Sequence, residues 1–223
     1  MKHLLKNNLR LCFVTNIKDR PIGDYLTLIK RAVRGGVTMV QLREKASDIN
    51  EIRHKAIALQ RLLKPLGVPL IINDFVDLAA EINADGVHIG QQDMSVSEAR
   101  MILGPDKIIG LSIESMDELY KANDIDGISY VTASAVFPSK TKPNCKQIWG
   151  LKGLQEIALQ SRHPVTAIGG ITERNIKDVL KIKNVCGVAV VGAIERAICP
   201  YDAAKNLVKF FENEAYIDYR RAF

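Results

Sequence analysis

Apolar positions along the chain fall into two alternating textures. Short β-branched runs, apolar at consecutive positions, alternate with longer segments in which apolar residues recur every three to four positions. The first texture predicts strands at Leu11–Asn16, Thr38–Glu44, Pro69–Asp74, Gly86–Gly90, Lys107–Ser112, Gly127–Val136, Val165–Gly170 and Gly187–Ala193. A helical pattern follows each. In IGDYLTLIKRAVRGG, for example, Tyr25, Leu28, Ile29, Ala32 and Val33 share one face, and Gly35–Gly36 close the helix. Ile71–Ile72 and Ala189–Val191 are apolar on both strand faces, the pattern of a parallel sheet covered by helices. Eight such units predict an α/β fold, a single (β/α)8 TIM barrel. A doubly wound open sheet seldom uses eight equal units, and no GxGxxG follows the first strand. One catalytic domain is expected over residues 1–213. The uneven stretch EAYIDYRRAF leaves a C-terminal tail over 214–223, either a frayed extension or an interface segment.

Composition narrows the function classes. Of 223 residues, 47% are hydrophobic and 25% charged, enough for a sizeable core. No apolar run approaches the ~18 residues of a membrane span, so no membrane partner is expected. The N-terminal MKHLLKNNLR carries charges and amides where a signal peptide needs its apolar segment. Cys12, Cys145, Cys186 and Cys199 show no CxxC or other metal spacing and read as reduced thiols of a cytoplasmic protein. The net charge of +6 is spread along the chain, and aromatics are only 6%, with no basic block among them. No nucleic-acid partner is therefore expected, and a basic pocket for a phosphorylated small molecule accounts for the charge as well. A homo-oligomer is compatible with the sequence.

Catalytic groups in such a barrel sit where strands end and βα loops begin. The second strand ends in QLREK, so Gln41 and Arg43 share a face, with Lys45 following, a set suited to a polyanion. The third ends in Asn73 and Asp74, and the fourth is followed by GQQD, ending at Asp93. Asp74 and Asp93 lie 19 residues apart, one βα unit, so two carboxylates can meet at the mouth. Their repulsion is relieved by a hard cation such as Mg²⁺, which takes one or two carboxylates together with substrate phosphate and water. Alternatively, Asp74 and Asp93 cap the helices that follow. Ser112 ends the fifth strand and has the same alternative. After the sixth strand, VFPSKTKPNC breaks from apolar residues into hydroxyls, lysines and prolines. Gly169–Gly170 and Gly192 end the last two strands and let backbone N–H groups approach an anion. His88 alternates with Val87 and Ile89 and reads as a satisfied barrel-lining residue rather than a base. No acid–base pair stands out. The inventory is thus two anion sites in one mouth, suited to joining two phosphorylated partners or binding one bisphosphate.

The motifs QLREK, IIND, ADGVHIGQQD, FPSKTK and AIGGI, in this order, resemble those of the thiamine-phosphate synthase family over nearly the whole chain. The resemblance implies a Mg²⁺-dependent transferase. Its partners would be two phosphorylated heterocycles, a hydroxymethylpyrimidine diphosphate and a thiazole phosphate, and its products thiamine phosphate and pyrophosphate. It assigns Gln41, Arg43, Lys45, Asn73 and Lys142 to the diphosphate, with Arg43, Lys45 and Lys142 as the catalytic cations. It assigns Asp74 and Asp93 to Mg²⁺ and Ser112 to the pyrimidine. Ser139, Thr141, Gly169, Gly170, Val191 and Gly192 fall to the thiazole phosphate. The sequence departs from the family's common residues at Ser139 (often Thr), Ser134–Ala135 (often Gly-Pro), Gly192 (often Ser) and Glu114 (often His). These departures bear on the thiazole-phosphate site more than on the metal site. Competing readings are the related thiazole tautomerase, a sugar-phosphate isomerase or epimerase on the same fold, and a non-catalytic basic binding protein.

Overall fold

The computed structural model describes residues 2–16, 20–44, 48–139 and 145–211, with side chains from Leu5 onward. The chain opens with α1 (Lys2–Leu9), β1 (Leu11–Val14), α2 (Ile22–Arg34), β2 (Met39–Leu42), α3 (Ile49–Leu63) and β3 (Leu70–Asn73). Then come α4 (Val76–Glu81), β4 (Gly86–Ile89), α5 (Val96–Leu103), β5 (Ile108–Ile113), α6 (Met116–Asn123) and β6 (Tyr130–Ser134). It ends with α7 (Gly150–Gln160), β7 (Val165–Ile168), α8 (Ile176–Leu180), β8 (Val185–Val190), α9 (Gly192–Glu195) and α10 (Pro200–Val208). The eight strands pair in parallel in sequence order, and β8 returns to β1 to close the barrel. The predicted (β/α)8 architecture is therefore the observed one. The expected boundary at residue 213 and the tail 214–223 lie outside the described residues.

Period-two burial explains why the strand runs are apolar at every position. On β1, Leu11 and Phe13 join the core between sheet and helices, while Cys12 and Val14 join a second core inside the barrel. On β3, Leu70 and Ile72 face outward and Ile71 inward. A strand buried on both faces has no polar side to show. The helices complete the outer layer with one stripe each. From α2 these are Tyr25, Ile29, Ala32 and Val33, and the helix ends at Gly35 as its sequence predicts.

Two local features differ from the sequence pattern. The sequence pattern assigned no element to residues 2–9, and they make α1, whose Leu9 is fully buried in the inner core with Cys12, Met39 and Tyr130. The segment after Gly192 was read as one final helix. It is two, because Pro200 opens α10 at a first-turn position where its missing N–H has no role. No helix among the described residues is long and apolar enough to cross a membrane.

Candidate active site

Parallel strands deliver their C-terminal ends to one rim, and the side chains there enclose two adjoining cavities. The first, of about 260 Å³, is lined by Gln41, Arg43, Asn73, Asp74, Asp93 and Ser112, with Cys12, Met39 and Tyr130 from the inner core. The second, of about 270 Å³, is lined by Arg43, Ser139, Gly169, Gly170, Val191 and Gly192. Arg43 borders both, as do Val14, Ser134, Ile168 and Ala189, so the cavities share a wall. The structure thus brings together all the described residues that the sequence singled out. Lys45, Thr141 and Lys142 lie outside the described residues.

Neighbours hold several of the polar groups in the first cavity. Gln41 Nε2 donates to Asn73 Oδ1 at 2.7 Å, leaving the Asn73 amide nitrogen to donate elsewhere. The Thr15 amide donates to the Gln41 carbonyl at 2.9 Å, and Thr15 Oγ1 accepts from the Arg43 amide at 2.9 Å. Thr15 therefore fixes the backbone that presents both residues. Burial pushes the Arg43 pKa down from its ordinary value, while the Asp74 and Glu44 carboxylates pull it back up. Glu44 is itself 8% exposed and pairs with Lys55 Nζ at 3.1 Å, which anchors the end of β2 to α3.

The two carboxylates do not cap helices. Asp74 follows β3 in the left-handed region (φ 66°), and its amide donates to the His88 carbonyl at 2.9 Å. The N-cap of α4 is Phe75, without a side-chain cap. Asp93 Oδ2 accepts from the Gly90 amide at 2.7 Å, closing the turn after β4, and α5 is capped instead by Ser95 in a capping box with Glu98. The cap alternative fails for Ser112 as well, since Ser115 caps α6. Freed from that role, Asp74 and Asp93 border one cavity beside Arg43. Among the described residues no group of three or more His, Cys, Asp or Glu could hold a metal. Two carboxylates among oxygen and amide donors, with open volume beside them, are a donor set that fits Mg²⁺.

His88 sits on β4 and lines the same cavity. Its Nε2 lies 2.9 Å from Ser112 Oγ and its Nδ1 lies 3.1 Å from Tyr130 Oη. Both ring nitrogens are engaged, and the chain of contacts orients the Ser112 hydroxyl. The sequence carries no sign of this chain, because its members come from three strands. At the rim, Lys146 Nζ pairs with Glu118 Oε1 at 2.6 Å, and Glu118 Oε2 accepts from the Glu114 amide at 2.6 Å. That tie between α6 and the segment leading to α7 was also missed. So was Arg196, which lines the second cavity.

The wall of the second cavity depends on glycine. Gly169 and Gly170 have φ of 102° and 62°, and a Cβ on Gly170 would lie 2.6 Å from the Pro138 carbonyl oxygen. The loops after β6 and β7 can approach only because no side chain separates them.

Inside the barrel, burial pushes the Cys12 thiol up to about 12. It stays a neutral thiol at physiological pH, where alkylation needs the thiolate. Iodoacetamide at pH 8 is expected to leave Cys12 unlabelled in the folded protein and to label it after denaturation. Peptide mass spectrometry reads the difference, and native labelling would contradict this burial.

Comparison with known proteins follows the same lines. The family profile described as "Thiamine monophosphate synthase" matches residues 11–194. A thiamine-phosphate synthase of Vibrio parahaemolyticus is 44% identical over 206 residues, covering 92% of this chain and 100% of that protein. One from Chlamydia caviae is 39% identical over 198 residues, covering 89% of this chain and 92% of that protein. The solved thiamine phosphate pyrophosphorylase from Pyrococcus furiosus superposes with a TM-score of 0.83 at 33% identity, covering 93% of this chain and 98% of that one.

Proposed function

The chain belongs to the thiamine monophosphate synthase family, and from that premise we propose that it couples a hydroxymethylpyrimidine diphosphate to a thiazole phosphate, releasing pyrophosphate and forming thiamine phosphate. It is a transferase that acts in thiamine biosynthesis. The observation that carries the substrate reading is the pair of cavities at one rim, one bordered by two carboxylates and the other by a glycine turn, with Arg43 between them.

In this reading the diphosphate lies in the first cavity against Gln41, Arg43 and Asn73, with Lys45 and Lys142 completing the cationic set. The pyrimidine ring enters the apolar floor of Cys12, Met39 and Tyr130, and Ser112 meets its polar edge. Asp74 and Asp93 would hold Mg²⁺, which when bound would offset charge on the departing diphosphate. The bond between the methylene carbon and the diphosphate oxygen breaks first, and its electron pair leaves with the oxygen. Arg43, Lys45 and Lys142 stabilise the charge that develops there. The electron-rich ring supports the methylene cation, and the thiazole nitrogen attacks it to form the new C–N bond. That nitrogen has no proton to lose, so no general base is needed, in keeping with a His88 whose ring nitrogens are both engaged. The thiazole phosphate rests in the second cavity against Ser139, Gly169, Gly170, Val191 and Gly192, and the family resemblance assigns Thr141 to the same phosphate. Placing the two reactants across a shared wall makes their encounter intramolecular.

The test is direct. Incubated with both phosphorylated heterocycles and Mg²⁺, the protein is expected to yield thiamine phosphate and pyrophosphate in equal amounts, and EDTA is expected to stop the reaction. Absence of product with Mg²⁺ present would overturn the reading, and undiminished turnover in EDTA would remove the metal from it.

A further inference from the structure

The position after Val191 has no side chain of its own, yet its space is not empty. A Cβ built on Gly192 would lie 2.2–2.3 Å from Nη2, Cζ and Nη1 of Arg196. The guanidinium therefore rests directly on the Gly192 backbone, at the wall of the second cavity. The short helix α9 brings it back, because Arg196 stands one turn after Gly192 and its amide donates to the Gly192 carbonyl at 3.3 Å. Residues four apart on a helix share a face.

The charge at this place is uncompensated. Among the described residues the Arg196 guanidinium forms no ion pair. It also edges an outer groove with Asp24 and Glu195, but neither carboxylate pairs with it, and Glu195 is 8% exposed with the Asn16 amide at 3.5 Å. Arg43, the other guanidinium of the second cavity, has Asp74 and Glu44 acting on it. Arg196 is thus a planar, exposed donor with no ion-pair partner among the described residues, beside glycine amides that suit an anion.

Resting on the functional reading above, we infer that Arg196, its guanidinium seated in the space that Gly192 leaves open, is a specificity-determining residue that takes the phosphate of the thiazole substrate. Arg196 makes the second cavity select a phosphorylated ligand over the corresponding alcohol. Gly192 is the enabling partner, since any side chain there pushes the guanidinium aside. Arginine is flexible at its far end, so such a side chain displaces the guanidinium rather than the fold.

Four proteins test this: the wild type, Arg196→Ala, Gly192→Ala and the double variant. The exposed Arg61→Ala, in the last turn of α3, controls for the loss of one positive charge. Arg196→Ala is expected to raise KM for the thiazole phosphate roughly tenfold to a hundredfold, the loss of a charge-assisted contact, with KM for the pyrimidine diphosphate unchanged. By calorimetry it loses affinity for the thiazole phosphate but not for the unphosphorylated thiazole alcohol. Gly192→Ala also weakens the phosphate ligand, and adding Arg196→Ala to it costs little more, because both changes remove the guanidinium from the same place. Unchanged thiazole-phosphate KM in Arg196→Ala, or equal loss for phosphate and alcohol, would overturn the inference. Should the wild type fail to couple the two substrates, the functional reading falls by itself. Inorganic phosphate titrated into wild type and Arg196→Ala then decides for or against Arg196 as an anion ligand.

Discussion

Asp74→Asn is expected to lower turnover about 10²- to 10⁴-fold at saturating substrates while leaving the protein folded, the scale of losing several kcal/mol of charge stabilisation. Asparagine is the informative choice here. Asp74 has φ 66°, a conformation that Asn adopts readily and Ala does not. Its amide still donates to the His88 carbonyl, and its side chain keeps its size, so only the charge is removed. Asp93→Asn is less clean, because Asp93 Oδ2 also accepts from the Gly90 amide and closes a turn. Steady-state rates over a Mg²⁺ series check the expectation. The apparent Mg²⁺ requirement should rise along with the fall in turnover, since one of the two carboxylates offered to the ion has lost its charge. Circular dichroism and the denaturation midpoint should stay near those of the wild type. A variant that turns over at close to the wild-type rate would remove Asp74 from the proposed metal site, and with it the charge neutralisation proposed for the departing diphosphate.

The eight strands were legible because burial on both faces leaves an unmistakable apolar run, as in Ile71–Ile72 and Val188–Val190. Strand-end residues were legible for a related reason. In a closed parallel barrel every C-terminal end shares one rim, so polar groups there must converge. What the sequence hid depends on angles and distant partners. Asp74 followed by an apolar run reads equally as a helix cap, and only its left-handed backbone turns it away from that role. The Ser112–His88–Tyr130 chain joins residues 24 and 42 positions apart, beyond any local periodicity. Arg196 looks like an ordinary surface cation until the bare Cα of Gly192 is seen beneath it. The helix α1 was missed because it is eight residues long and mostly polar, too short for an amphipathic stripe to stand out.

That overlooked helix carries the largest expected stability effect. Leu9→Ala should destabilise the protein by about 2–5 kcal/mol, the range for removing a fully buried leucine that leaves a cavity. For a chain of this size each kcal/mol shifts Tm by about 2–4 °C, so a fall of about 4–20 °C is expected by calorimetry. The reasoning is topological. The helix α1 precedes β1, at the N-terminal end of the barrel, and Leu9 enters the inner core beneath Cys12 and Met39. Those two residues also floor the first cavity, but the charged groups stand at the opposite rim. KM values should therefore stay within about twofold of wild type while stability drops. Gly187→Ala acts on the same contact from β8, since its Cβ would lie 1.8 Å from the Leu9 carbonyl oxygen. Because both changes unseat the end of α1, their combined cost should be less than the sum of the separate ones. A Tm within a degree of wild type for Leu9→Ala would mean that α1 rests on the barrel without closing it. Full additivity with Gly187→Ala would mean that the two residues act through different contacts.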